Sequence, residues 1–210
     1  MINVMERFLH SYLNNYHSSI RSLLYELSRI SNHLLAITTH GIDIGALNGM
    51  LLAFEERERM CNILEYLAGS RMHSSLLFIF LLRYDLSYRL LILIHYFLLH
   101  LPLIIGELHA IQSSNSVLIS RLHEIGKLDR DTIIRSSISG CILRSAGLTV
   151  DARLHGLCVY YSPLLLLIIG SKGDCLDRYF IRLNELQQSS STSSVLLLSI
   201  PFLSSSLSSS

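Results

Sequence analysis

The chain has 210 residues, of which 50% are hydrophobic and 16% charged, and its mean hydropathy of +0.43 excludes intrinsic disorder over most of its length, because disorder needs low hydrophobicity and high net charge. Seventeen basic and sixteen acidic side chains leave a formal charge of +1, with no surplus to neutralise a nucleic-acid backbone. Four cysteines without a CxxC pair are too few for a disulfide scaffold.

The N-terminal stretch Met1 to His10 has no basic segment leading into an apolar core and is not rich in Arg and Ser, so neither a secretory leader nor a transit peptide is expected there. The first helix is expected over Ser19–Thr39. Ile20, Leu23, Leu24, Leu27, Ile30, Leu34 and Ile37 recur at the spacing of one helical face, with Glu26, Arg29 and Asn32 on the other side. Gly41 and Gly45 then predict a bend around Asp43.

A second helix is expected over Leu47–Leu67, with Met50, Leu51, Phe54, Ile63, Leu64 and Leu67 inward and Gly69 ending it. Glu55 stands four residues before Arg59, the favoured order for a helical ion pair of about 0.2–0.5 kcal/mol. Leu76–Ile105 is apolar but broken by Arg83, Asp85, Arg89, His95, His100 and Pro102. A bilayer span needs about twenty mostly apolar residues, and a central charge costs roughly 2.5–3.5 kcal/mol. A pair of buried helices is therefore favoured over a span.

Another helix is expected over Glu107–His123, then a polar turn in which Asp129 or Asp131 caps the next element. Glycines with Val and Ile predict loops and short strands over 139–161. Asp174 opens a last helix, Leu176–Gln188, with Leu176, Tyr179, Phe180, Leu183 and Leu186 inward. Residues 189–210 form a Ser/Leu tract expected to be a low-complexity tail, outside a helical core of residues 1–188. The fold class is mainly α.

Ten histidines make metal binding the first chemistry to test. Cys61, Cys141, Cys158 and Cys175 have no ligand-spaced neighbour, and His33 and His40 share a helix face without a third ligand. Ordinary helix histidines are the favoured reading, and no metal site is expected. No GxSxG is present, and the turn Gly170-Ser171-Lys172-Gly173-Asp174 lacks the spacing of a phosphate loop. It reads as a plain loop with a helix cap rather than an anion cradle.

Asp43 carries two readings. It sits between glycines with Thr39 and His40 one turn behind, so it either caps the second helix or is a partly desolvated carboxyl with a raised pKa, able to exchange protons near neutrality.

The run Glu26-Leu27-Ser28-Arg29 through Thr38-Thr39-His40-Gly41-Ile42-Asp43-Ile44-Gly45-Ala46 resembles one family, as do Phe54-Glu55-Glu56-Arg57-Glu58-Arg59-Met60 and Gly69-Ser70-Arg71-Met72-His73. Ser139-Gly140-Cys141-Ile142-Leu143-Arg144-Ser145-Ala146-Gly147, Asp151-Ala152-Arg153 and Gly173-Asp174-Cys175-Leu176-Asp177-Arg178-Tyr179 continue the series in order. The chain resembles subunit 7 of mitochondrial NADH dehydrogenase, the quinone-site subunit of respiratory complex I, which is similar in turn to the large subunit of nickel-iron hydrogenases.

The resemblance implies a long-helix bundle of the hydrogenase large-subunit type and a part in proton-translocating NADH:ubiquinone reductase. Ubiquinone would be the substrate, with NAD and the iron–sulfur clusters held by other subunits of complex I. The nearest partner would be the subunit carrying the terminal cluster. The place implied is the matrix-side peripheral arm at the mitochondrial inner membrane. Thr39 and Asp43 match quinone-pocket positions, Asp43 as the catalytic acid, with His40, Arg71 and Arg144 supporting. The family's quinone-contacting His and Tyr and its C-terminal closing region have no counterpart among these residues, so this chain alone is expected to be inactive. Two further expectations stand beside this one: a non-catalytic helical fragment or degenerate product, and a small membrane protein built on 76–105.

Overall fold

The apolar periodicity that predicts helices also dictates how they pack. In a computed structural model, which describes residues 15–72, 86–151, 153 and 166–207, the chain is mainly α, with no strand among the described residues. Its helices are α1 (Asn15–Ile44), α2 (Asn48–Ala68), α3 (Tyr88–Ser113), α4 (Ser116–Leu122), α5 (Arg130–Arg135), α6 (Cys141–Ser145) and α7 (Cys175–Leu207).

The four long helices form a closed bundle in which α1 packs on α2 and α7, and α3 packs on α2 and α7. Side-chain pairings fix the directions. His33 and His40 of α1 meet Glu185 and Tyr179 of α7, while Tyr66 and Glu56 of α2 meet Arg89 and His100 of α3. Both pairs run antiparallel, giving an up-down-up-down arrangement. Ile20, Leu23, Leu27, Ile30, Leu34 and Ile37 of α1 are fully buried, so the expected face forms the centre of the core.

Several boundaries differ from expectation. α1 does not bend at Gly41 but continues to Ile44, and the chain turns at Gly45, whose φ of 90° suits a residue without a Cβ. Asp43 therefore lies inside the last turn of α1. It does not cap α2, whose preceding residue is Leu47 with no side-chain cap. Within α2 the inward positions begin with Ala53, Glu56 and Met60, and Leu51 is 76% exposed. Ile63, Leu64 and Leu67 are buried as expected, and Gly69 ends the helix with φ 74° and its N–H on the Glu65 carbonyl at 2.7 Å.

α3 passes through Pro102 and Gly106 without breaking and stops only at Ser114, where Asn115 caps the separate helix α4 through its side chain. The apolar run 76–82, Cys158 and the last part of the region expected to hold short strands, 154–161, lie outside the described residues. The described part of that region, 139–151, contains the short helix α6.

The largest departure is α7, expected to end at Gln188 but helical to Leu207. Leu196, Leu197 and Ile200 belong to the core cluster. The serines do not prevent this. Ser191, Thr192 and Ser194 return their hydroxyls to the carbonyl four residues back, which satisfies them inside a helix. Ser189, Ser190 and Ser193 are buried on α7, as are Ser19 and Ser22 on α1.

Candidate functional site

Two polar regions stand out against this apolar scaffold. The first is the end of the bundle where α1 finishes and α7 begins. Thr39 and Asp43 are four residues apart, on one outward face of α1, and both are exposed. The Thr39 hydroxyl donates to the Leu35 carbonyl at 2.9 Å. The Arg121 guanidinium donates to the Ile44 carbonyl and so caps α1 from α4. The exposure of Asp43 removes the desolvation expected for it from the sequence.

His40, between them, turns inward. Its ring meets Tyr179 edge-on at 6.3 Å. Burial lowers its pKa, Arg182 and Arg178 lower it further, and Asp43 opposes them. His40 is thus held neutral near pH 7, a ring with one donor and one acceptor nitrogen. Tyr179 is a deeply buried aromatic of this end, its hydroxyl has no hydrogen-bond partner among the described residues, and burial raises its pKa.

The second region is a buried ion network centred on Glu185 of α7, whose side chain is 2% exposed. Arg29 Nη2 lies 2.8 Å and His33 Nε2 3.1 Å from its Oε2, and Arg144 Nη2 lies 2.7 Å from its Oε1. The Cys141 thiol donates to Oε2 at 3.5 Å. Burial alone would raise the Glu185 pKa, but the His33 hydrogen bond and the charges of Arg29 and Arg144 overcome it and hold the carboxyl at about 2. Burial and the neighbouring Glu185 push the Cys141 thiol up.

The network continues outward. Arg144 also faces Asp151 at 3.7 Å, and Arg153 bridges Asp151 at 2.7 Å and Glu26 at 3.3 Å. Three Arg and three acids therefore tie α1, α6, α7 and the segment after α6 together. A buried charge is tolerated only when paired in this way.

The sequence-predicted residues divide between these regions. Thr39, His40 and Asp43 come together at the bundle end. Arg144 lies in the ion network, reached along α1 from His33, ten residues or about 15 Å from Asp43. Arg71 is at the opposite end of α2, exposed and paired with Glu58 and Glu65, roughly 30 Å of helix away from Asp43. His33 and His40 face different partners rather than one metal, and no group of three His, Cys, Asp or Glu able to hold an ion occurs among the described residues.

Sequence reading placed Glu26 and Arg29 on the side of α1 opposite its apolar face and passed over Glu185. The available signal was Glu26, Arg29 and His33 at helical spacing, a polar stripe on an otherwise apolar helix. The 170–174 turn also resolves. Ser171 and Lys172 N–H groups donate to Asp177 Oδ2 at 2.8 and 2.6 Å, so the chain's own carboxylate fills the anion position. Asp174 caps α7 by accepting from Asp177 N–H at 2.8 Å and ties it to the turn after α4 by accepting from Glu124 N–H at 3.1 Å.

Fold and site together define a helical-bundle protein whose charged groups staple its interior and mark one end. Residues 43–201 match the family described as "Respiratory-chain NADH dehydrogenase, 49 Kd subunit", and the chain belongs to that family. It is 36% identical over 186 residues to "NADH dehydrogenase [ubiquinone] iron-sulfur protein 2" of Nephroselmis olivacea, covering 88% of this chain and 47% of that protein. The protein of the same description from Arabidopsis thaliana is 38% identical over 81% of this chain and 43% of its own length. "NADH-ubiquinone oxidoreductase 49 kDa subunit" of Reclinomonas americana is 37% identical over 81% of this chain and 43% of its own length. The chain spans a little under half the length of these relatives.

Proposed function

We propose that this chain acts as part of the quinone-site subunit of NADH:ubiquinone oxidoreductase, with the α1 end of the bundle forming one wall of the ubiquinone pocket. The observation that carries the reading is the pairing of Thr39 and Asp43 on an outward face of the last turns of α1, with Asp43 at the first residue of the family match. Thr39 and Asp43 contact the quinone head group, and Asp43 is the catalytic carboxylate that orients or charge-couples the groups beside it. Reducing a quinone to a quinol takes two electrons and two protons. The electrons come from iron–sulfur clusters on other subunits, the terminal cluster facing this wall. His40, three residues before Asp43, relays protons towards the reduced quinone through its two ring nitrogens. Arg144 supports the wall from within by tying α6 and the segment after it to Glu185 of α7, the carboxylate that Arg29 and His33 of α1 also hold.

On this reading the complex translocates protons and lies at the mitochondrial inner membrane, with this chain in its matrix-side arm. The chain by itself is inactive, because its electrons arrive from other subunits. Asp43→Asn in the assembled complex tests the reading. Because Asp43 is exposed, the variant assembles normally, and ubiquinone reductase activity falls at least tenfold while electron transfer from NADH to a hydrophilic acceptor is unchanged. An unaltered ubiquinone rate would remove Asp43 and this wall from the pocket.

The membrane reading is less well supported. α3 is the one helix among the described residues long and apolar enough to cross a bilayer, yet Leu90, Ile94, Leu101 and Leu108 are buried inside the bundle.

A further inference from the structure

α3 is apolar on two opposite sides. Leu90, Ile94, Leu101, Ile105 and Leu108 face the core, while Tyr88, Ile92, Tyr96, Leu99 and Leu103 form a stripe on the outer surface, spaced by four, four, three and four residues. Tyr88, Tyr96, Leu99 and Leu103 are between 60% and 80% exposed. A helix that is hydrophobic all round is a buried helix. The bundle buries only half of this one.

We propose that the outer stripe of α3 is a docking surface for an apolar helix of a neighbouring subunit. The inference rests on reading the chain as a subunit of a larger assembly. Three features commit it to a protein helix. The five large apolar side chains run unbroken along about 23 Å of helix, and four of them are more than half exposed, a strip long enough to form the centre of an interface burying about 800 Å² per partner.

The stripe is uncharged and carries two tyrosines, Tyr88 at its start and Tyr96 at its middle, with ionic groups only on its flanks, which is the anatomy of a protein interface. Arg89 and Glu107 mark the two ends on the same flank, about 27 Å apart along the helix. Neither has an ion pair among the described residues, although Arg89 lies over the Tyr66 ring at 5.9 Å. The fitting partner therefore has an acidic residue at the Arg89 end and a basic one at the Glu107 end of its own apolar stripe.

A lipid surface fits less well. Helices lying in a bilayer interface carry Lys and Arg along their polar face. The flanks here hold His95, His100, one Arg and one Glu.

The test replaces Tyr96 or Leu103 with p-benzoylphenylalanine in the full chain and irradiates the purified respiratory complex. Adducts are then sequenced by mass spectrometry. The expected product is a cross-link to one uncharged helical segment of a different subunit, with the acid and base flanking it. Adducts to lipid, to a second copy of this chain or to its own bundle would each overturn the inference, as would an assembled chain that forms no adduct.

A paired variant, Leu99→Asp, keeps the helical content of the isolated chain because Leu99 is outside the core. It lowers the amount of chain recovered in the complex at least tenfold. Undiminished recovery would also overturn the proposal. If the unmodified chain is absent from the complex altogether, the proposed function fails with it. If it is present and the cross-links go elsewhere, only the docking surface fails.

Discussion

The Arg144 guanidinium lies 2.7 Å from the Glu185 carboxylate, with both side chains less than 10% exposed, so a residue of a five-residue helix is fixed to the first half of the longest helix among the described residues. Breaking a fully stripped buried pair costs about 3–5 kcal/mol. Glu185 keeps Arg29 and His33 when Arg144 is removed, so Arg144→Ala is expected to cost less, about 2–3 kcal/mol. Arg144→Lys recovers only part of it, because one ammonium group cannot serve Glu185 and Asp151 in the geometry of a guanidinium. Urea denaturation of the three proteins measures this, and equal midpoints would show the pair to be idle.

The same carboxylate sets an acid limit on stability. Glu185 titrates at about 2 in the folded chain against an ordinary value of 4.5. Its contribution is therefore complete above about pH 4.5 and disappears as the pH falls towards 2. The shift corresponds to roughly 3 kcal/mol. Unfolding midpoints across that range should fall steeply for the natural chain. Glu185→Gln should start lower at neutral pH, because Arg29 and Arg144 lose their counter-charge, and should fall less on acidification. Asp174, whose pKa is also depressed, by backbone N–H donors that outweigh its burial, leaves some slope in the variant. Parallel pH profiles for the two proteins would contradict the assignment.

Legibility from sequence followed the strength of the local pattern. The apolar face of α1 was plain because seven positions repeat at helical spacing and all seven are buried. The end of α2 was plain because Gly69 takes a left-handed conformation that only a glycine adopts cheaply.

Asp43 was ambiguous for a different reason. A carboxylate between two glycines fits a cap or a bend equally well, and only the packing of α1 against α7 carries the helix through Gly41. The ion network was hidden because Glu26, Arg29 and Glu185 read singly as surface charges. Their burial depends on residues more than 100 positions apart meeting across the bundle. The Ser/Leu tract was misleading because composition reports solvation in isolation, whereas α1 supplies an apolar surface against which Leu196 and Ile200 can pack.

That packing predicts that the C-terminal half of α7 contributes to stability. Leu196 is 3% exposed within the core cluster, and truncating a buried leucine to alanine costs about 2–5 kcal/mol. Leu196→Ala should therefore lower the thermal midpoint measured by circular dichroism, while Leu198→Ala, 62% exposed on the same turn, should leave it nearly unchanged. Equal midpoints for both variants would mean that residues beyond Gln188 do not pack.

Gly173 is where backbone conformation and close approach act together. Its φ is 70°, and a Cβ there would stand 2.7 Å from the Leu128 carbonyl oxygen, a backbone atom that cannot swing aside. The same residue links three segments: its N–H donates to the Ser145 carbonyl at 3.0 Å, and its own carbonyl accepts from Leu128 N–H at 3.1 Å and from Arg178 Nη1 at 3.0 Å. Gly173→Ala adds a left-handed alanine, about 1 kcal/mol or more, to a clash that must displace the segment of chain around Leu128. A total loss of about 2–3 kcal/mol is expected. Gly69→Ala provides the comparison, since its φ is similar at 74° but nothing lies within 4 Å of the added Cβ. It should lose only the conformational part. Chemical denaturation of both variants separates the two contributions, and a Gly173→Ala loss no larger than that of Gly69→Ala would show that Leu128 gives way freely.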